Sequence, residues 1–74
     1  MIKLYSADWC GPCKQLKALL ESQDIEYTRI DIDKDPESAR LEGIRGIPTL
    51  IREDTGQRLI GSITAEQLRV FMAR

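Results

Sequence analysis

The chain predicts an α/β domain with elements in the order β-α-β-α-β-β-α and a mixed sheet. Three observations carry this. Apolar and polar residues alternate at the start of the chain and again around residue 30. After the first of these stretches the apolar spacing lengthens to that of a helix, which places a helix between two strands. Two short β-rich stretches then flank a glycine-bearing turn, the signature of a hairpin.

Ile2-Lys3-Leu4-Tyr5 alternates and reads as the first strand. Ser6 to Pro12 reads as a loop punctuated by Gly11 and Pro12. From Cys13 the period changes: Cys13, Leu16 and Leu20 recur at helical spacing with Leu19 beside them, while Lys14, Lys17 and Glu21 face outward. This helix should fade between Ser22 and Asp24. Glu26 to Ile32 alternates, is rich in β-formers, and reads as the second strand. Two strands joined by a helix should lie parallel, with a right-handed crossover.

Asp35-Pro36-Glu37 opens a second helix, because Asp35 can cap free N–H groups and Pro36 suits the first turn. Gly43, able to adopt the left-handed conformation, should end it. Residues 49–52 and 57–60 flank Glu53-Asp54-Thr55-Gly56 as a hairpin with Gly56 in the turn. Thr64 and Gln67 form a capping-box pattern that opens the last helix, whose buried face is Leu68, Phe71 and Met72. No repeat, low-complexity segment or linker interrupts the chain, so residues 1–74 read as a single domain.

Composition narrows the function. Eleven Lys and Arg against 12 Asp and Glu give a net charge of −1, without the clustered basic excess of a nucleic-acid binder. The apolar runs are far too short for a membrane span. Residues 1–15 show no basic region followed by an apolar one, so no signal peptide is expected and the expected compartment is cytoplasmic. There is no histidine and there are only two cysteines, Cys10 and Cys13. A closed zinc site wants four Cys or His ligands, so one chain cannot build one. A domain of 74 residues buries a modest fraction of its surface, and two cysteines so close together cannot staple distant parts of it. In a reducing cytosol such a pair is more often catalytic or metal-binding than structural.

The chemistry lies in Trp9-Cys10-Gly11-Pro12-Cys13, between a strand and a helix. Two intervening residues at a helix start let the sulfurs approach bonding distance. Cys10 should sit at or just before the first turn, where free N–H groups and the positive helix end favour a thiolate. Such placement can lower a cysteine pKa from ~8.5 to between about 3.5 and 7.5. Cys13, one turn later on the apolar side, should be more buried and stay protonated until needed. Other readings stand beside this one. The pair could be half of a metal site shared across a dimer, for zinc or an iron–sulfur cluster, or two ordinary core thiols in a redox-inert interaction module. Pro48 could mark a plain turn before a strand, and Trp9 could be a simple surface residue.

Two motifs in order, Trp9-Cys10-Gly11-Pro12-Cys13 and Gly43-Ile44-Arg45-Gly46-Ile47-Pro48-Thr49-Leu50, resemble the active-site motif and the cis-proline segment of the thioredoxin family. The resemblance covers essentially the whole chain. It implies the thioredoxin fold in its minimal, glutaredoxin-like form: a four-stranded mixed sheet flanked by three helices. It implies thiol–disulfide exchange, with Cys10 as nucleophile, Cys13 as resolving cysteine, and no cofactor or metal beyond the Cys10–Cys13 disulfide. It further implies a cis Ile47–Pro48 bond placed against the cysteines, a trait open to X–Pro bonds at a cost of about 0.5–1 kcal/mol. Substrate contacts are implied for Trp9, Gly11, Pro12, Ile47 and Pro48, with the Ile47 backbone pairing an extended segment. The implied partners of this expected monomer are protein disulfides, that of ribonucleotide reductase among them, and an NADPH-dependent thioredoxin reductase.

The departures from the family are specific. The chain begins nine residues before Cys10, so the extra N-terminal strand and helix of full-length thioredoxins are not expected. Thioredoxins carry a buried aspartate six residues before the first cysteine, where this chain has Leu4. The places that hold glutathione in glutaredoxins here offer Ala7 or Asp8, Pro12, and Gly61-Ser62-Ile63-Thr64. Asp8 should repel a glutathione carboxylate, so the glutathione-dependent alternative is expected to bind poorly.

Overall fold

A computed structural model describes residues 1–73. The elements are β1 (Ile2–Ser6), α1 (Gly11–Ser22), β2 (Thr28–Asp31), α2 (Pro36–Leu41), β3 (Thr49–Arg52), β4 (Arg58–Ile60) and α3 (Ala65–Met72). They form one four-stranded sheet in the order β2-β1-β3-β4. β1 and β2 are parallel, and β3 is antiparallel to both β1 and β4. The expected order, mixed sheet and hairpin are all present.

Strand alternation decides what each sheet face holds, because successive side chains point to opposite sides. Ile2 and Leu4 of β1 and Leu50 of β3 join Leu16 and Leu20 of α1 and Leu68 and Phe71 of α3 in the main core. Leu4, Leu20, Leu50 and Leu68 have no exposed surface. Each such side chain contributes roughly 1.5–3 kcal/mol by leaving water. The opposite face carries Lys3, Tyr5 and Ile51, with Lys3 and Ile51 paired across β1 and β3. Arg58 of β4 reaches Glu42, the C-cap of α2, at 3.1 Å on that side. Tyr5 is fully buried, and its hydroxyl has no hydrogen-bond partner among the described residues.

The caps form as the residues predict. The Asp35 side chain accepts from the Ser38 N–H at the head of α2, and Gly43 follows that helix at φ 68°. Both arms of the Thr64–Gln67 capping box are made.

Several boundaries differ from expectation: β1 runs on through Ser6 and β2 ends at Asp31 rather than Ile32, and three starts shift as well. α1 begins at Gly11 with Cys10 as its N-cap, as the Cys10–Cys13 motif predicts, and not at Cys13, where the apolar periodicity starts. Proline is a helix breaker only in the interior; in the first turn its missing N–H and fixed φ cost nothing, so the Gly-Pro pair opens the helix. β2 begins at Thr28, not Glu26. The chain leaves α1 through Asp24 at φ 57°, and the Ile25 N–H bonds back to Leu20, so pairing starts only at Lys3 with Thr28. Finally, Gln57 stays in the turn with its N–H on the Thr55 hydroxyl, so β4 begins at Arg58.

Candidate active site

Cys10 and Cys13 meet where β1 hands over to α1. Cys10 is the N-cap of α1, in extended conformation, and its Sγ accepts from the Cys13 N–H at 3.2 Å. A serine or aspartate oxygen commonly fills this role; here a sulfur does. The two cysteines form a disulfide with Cα atoms 5.2 Å apart. Cys10 is 5% exposed and Cys13 2%. They share a small buried cluster with Ala7, against which Ile32 and Ile47 pack.

The second predicted motif arrives at the same place. The Ile47–Pro48 bond is cis and Pro48 is buried. The chain is held there by the Thr49 hydroxyl donating to the Gly46 carbonyl at 2.6 Å and by the Gly61 N–H donating to the Pro48 carbonyl at 2.9 Å. Ile47 thus touches the cysteine cluster from a segment distant in sequence. Gly11 and Pro12 are exposed at the helix start, and a side-chain carbon at Gly11 would meet nothing within 4 Å, so the surface beside the sulfurs is open. Trp9 is 69% exposed next to Cys10. All seven residues singled out in the sequence therefore lie at one end of the sheet.

Several contacts around the site were not foreseen. The Trp9 indole Nε1–H donates to Asp33 Oδ2 at 2.8 Å, which fixes the ring across the gap from the β2–α2 turn. Arg29 of β2 donates to the Ser6 hydroxyl at 3.0 Å and to Asp8 at 2.7 Å, and lies 3.8 Å from Asp31. The Arg29 guanidinium holds the Asp8 carboxyl below its usual range, chiefly through that hydrogen bond. Asp8 is consequently not the bare charge assumed for it, and its expected repulsion of a carboxylate is partly cancelled by Arg29. These partners lie more than twenty positions apart, and only the parallel register, with Ser6 opposite Asp31, brings them together.

Leu4, at the position of the family's buried carboxylate, is sealed in the main core. Instead, a polar cleft of about 300 Å³ opens beside Cys13. A larger apolar groove of about 420 Å³ between β4 and α3 contains no cysteine. Among the described residues, no three His, Cys, Asp or Glu side chains gather as a metal site, and no helix is long and apolar enough to cross a membrane.

A disulfide at the N-cap of a helix, beside a cis-proline turn on a four-stranded mixed sheet, defines a thioredoxin-fold redox domain. A family model described as Thioredoxin matches residues 1–74, and the chain belongs to the thioredoxin family. Among similar proteins, a thioredoxin from Thiocapsa roseopersicina is 45% identical over 53 residues, covering 64% of this chain and 58% of that protein. One from Buchnera aphidicola is 37% identical over 75 residues, covering 89% of this chain and 69% of that one. The chain thus spans roughly three-fifths to two-thirds of their length. Among solved structures, a thioredoxin variant from Halobacterium salinarum superposes with TM-score 0.83 at 29% identity, covering 96% of this chain and 69% of its own. A structural-genomics target from X. campestris superposes with TM-score 0.76 at 26% identity, covering 97% and 95% respectively.

Proposed function

We propose that this chain, acting as one domain over residues 1–74, is a thiol–disulfide oxidoreductase that reduces disulfides in other proteins. The observation that carries the reading is the placement of the Cys10 sulfur at the N-cap of α1, receiving the Cys13 N–H at 3.2 Å. In the reduced protein the same amide and the helix dipole favour the Cys10 thiolate over the thiol.

The exchange follows in two balanced steps. The Cys10 thiolate attacks one sulfur of a substrate disulfide, forming a mixed disulfide and releasing the other substrate sulfur as thiolate. Cys13 then loses its proton and attacks Cys10 Sγ. The Cys10–Cys13 disulfide forms, and the second substrate sulfur leaves. The substrate has gained the two electrons that the dithiol has lost. Trp9, Gly11 and Pro12 form the docking surface beside the sulfurs. Ile47 offers its backbone to an extended substrate segment, with Pro48 shaping the turn.

The pair needs no metal or organic cofactor. Electrons return from an NADPH-dependent thioredoxin reductase. The domain works as a monomer in a reducing compartment, the cytoplasm, and the acceptor protein implied by the family's short forms is ribonucleotide reductase. Insulin reduction tests the core reading. Wild-type protein recycled by dithiothreitol should precipitate insulin chains, Cys10→Ser should not, and Cys13→Ser should accumulate mixed disulfides. Full activity in Cys10→Ser would refute the assignment.

A further inference from the structure

Resolution requires Cys13 to shed a proton although it is 2% exposed in an apolar cluster, and burial disfavours a thiolate. Leu4 supplies no carboxylate from below. Cys13 does, however, line a cleft whose other walls are Ser6, Ala7, Asp8, Lys14, Lys17 and Arg29. At about 300 Å³ it has room for several waters, each occupying about 30 Å³.

Charge reaches the cleft from α1, from the β1–α1 turn and from β2. Lys14 and Lys17 come from α1, Asp8 from the β1–α1 turn, and Arg29 from β2 with Asp31 3.8 Å behind it. Lys34 adds a further positive charge felt by Asp8. Asp8 is tied to Arg29 at 2.7 Å and held below the usual carboxyl range. It is a poor proton acceptor and acts as a counter-charge. The lining therefore keeps a net positive balance beside a sulfur that must become an anion.

We propose that this cationic cleft is the proton exit of Cys13 and that Lys14, Lys17 and Arg29 are positioning residues that favour its thiolate in the resolving step. The proposal rests on the exchange reading above and assigns the cleft a part in it. Cys13 passes its proton to water in the cleft, its electron pair forms the bond to Cys10 Sγ, and the substrate thiolate departs.

The test separates the two readings. Reduced protein is treated with 2,2′-dithiodipyridine at low pH, where Cys10 reacts and Cys13 stays protonated. The isolated mixed disulfide is then jumped to a series of pH values. Release of pyridine-2-thione reports attack by Cys13. Failure of Cys10 to form the mixed disulfide would refute the exchange reading itself.

If the mixed disulfide forms, the double variant Lys14→Gln/Lys17→Gln should move the midpoint of the release profile up by about one pH unit, slowing release about tenfold near neutrality. Arg29→Gln should shift it in the same direction. Asp8→Asn should move the midpoint down and speed release. Added salt should slow wild-type release, because these charges are partly exposed and screened. Two outcomes would overturn the proposal: a lysine double variant whose profile coincides with wild type, or an Asp8→Asn variant that releases more slowly, which would make the carboxylate the proton acceptor. A loss of packing alone would not move the midpoint in opposite directions with the sign of the charge removed.

Discussion

The two buried clusters at the sheet differ in composition and in what they do. The larger is wholly apolar, with Ile2, Leu4, Leu16, Leu20, Leu50, Leu68 and Phe71 drawn from two strands and two helices. The smaller has three buried residues, Ala7, Cys10 and Cys13, and two of them are cysteines. The first binds the elements together and has no opening toward the chemistry. The second contributes little packing and borders a helix N-terminus on one side and a polar cleft on the other. In so small a domain, stability and reactivity are thus assigned to different residues of the same α1 helix: Leu16 and Leu20 anchor it, and Cys10 and Cys13 use its first turn.

That division makes graded predictions. The largest effect should come from Cys10→Ser, which should lower disulfide reduction by orders of magnitude in the insulin assay while the molecule stays folded by circular dichroism. Next, Leu68→Ala should cost about 2–5 kcal/mol in urea unfolding, with turnover per folded molecule retained. Comparable losses of both quantities in either variant would break the comparison. Thr64→Ala, which removes one arm of the capping box, should cost about 1 kcal/mol by the same measurement.

Tyr5 sharpens the comparison from the other sheet face. Its hydroxyl is buried without a partner, and burial raises its pKa. Tyr5→Phe should therefore gain on the order of 1 kcal/mol, since an unsatisfied buried donor is removed. The sign in pH follows. A raised folded pKa gives stability that is complete below the unfolded value near 10 and is lost as pH rises through the folded value. The Phe variant should lack that alkaline loss in thermal melts.

The smallest effect concerns Asp35 at the head of α2. Asp35 is lowered below its usual value by its hydrogen bonds from Ser38. Its contribution is present above the unfolded carboxyl range and disappears as pH falls through the folded value. Asp35→Asn should flatten the acid limb of the melting-temperature profile.

Much of this fold was legible in the residues. Asp35-Pro36, Thr64 with Gln67, and the alternation of Ile2 to Tyr5 act locally, and each local rule held. The start of α1 was legible from the Cys10–Cys13 motif but not from apolar periodicity, because Gly11-Pro12 serves equally as loop punctuation and as a first helical turn. Asp24 adopts a left-handed conformation that no neighbouring residue announces. At the site, the cysteine pair and the Ile47–Pro48 turn were visible as motifs. The Arg29–Asp8–Ser6 network and the Trp9–Asp33 bond were not, since each joins segments that only the β1–β2 register aligns.

The most direct test is a pH titration of thiolate absorbance in the reduced protein, repeated in Cys13→Ser to assign the first transition. The account predicts that Cys10 ionises well below the ordinary thiol value of about 8.5 and that Cys13 ionises well above Cys10. Two sulfurs ionising together near that ordinary value would contradict it.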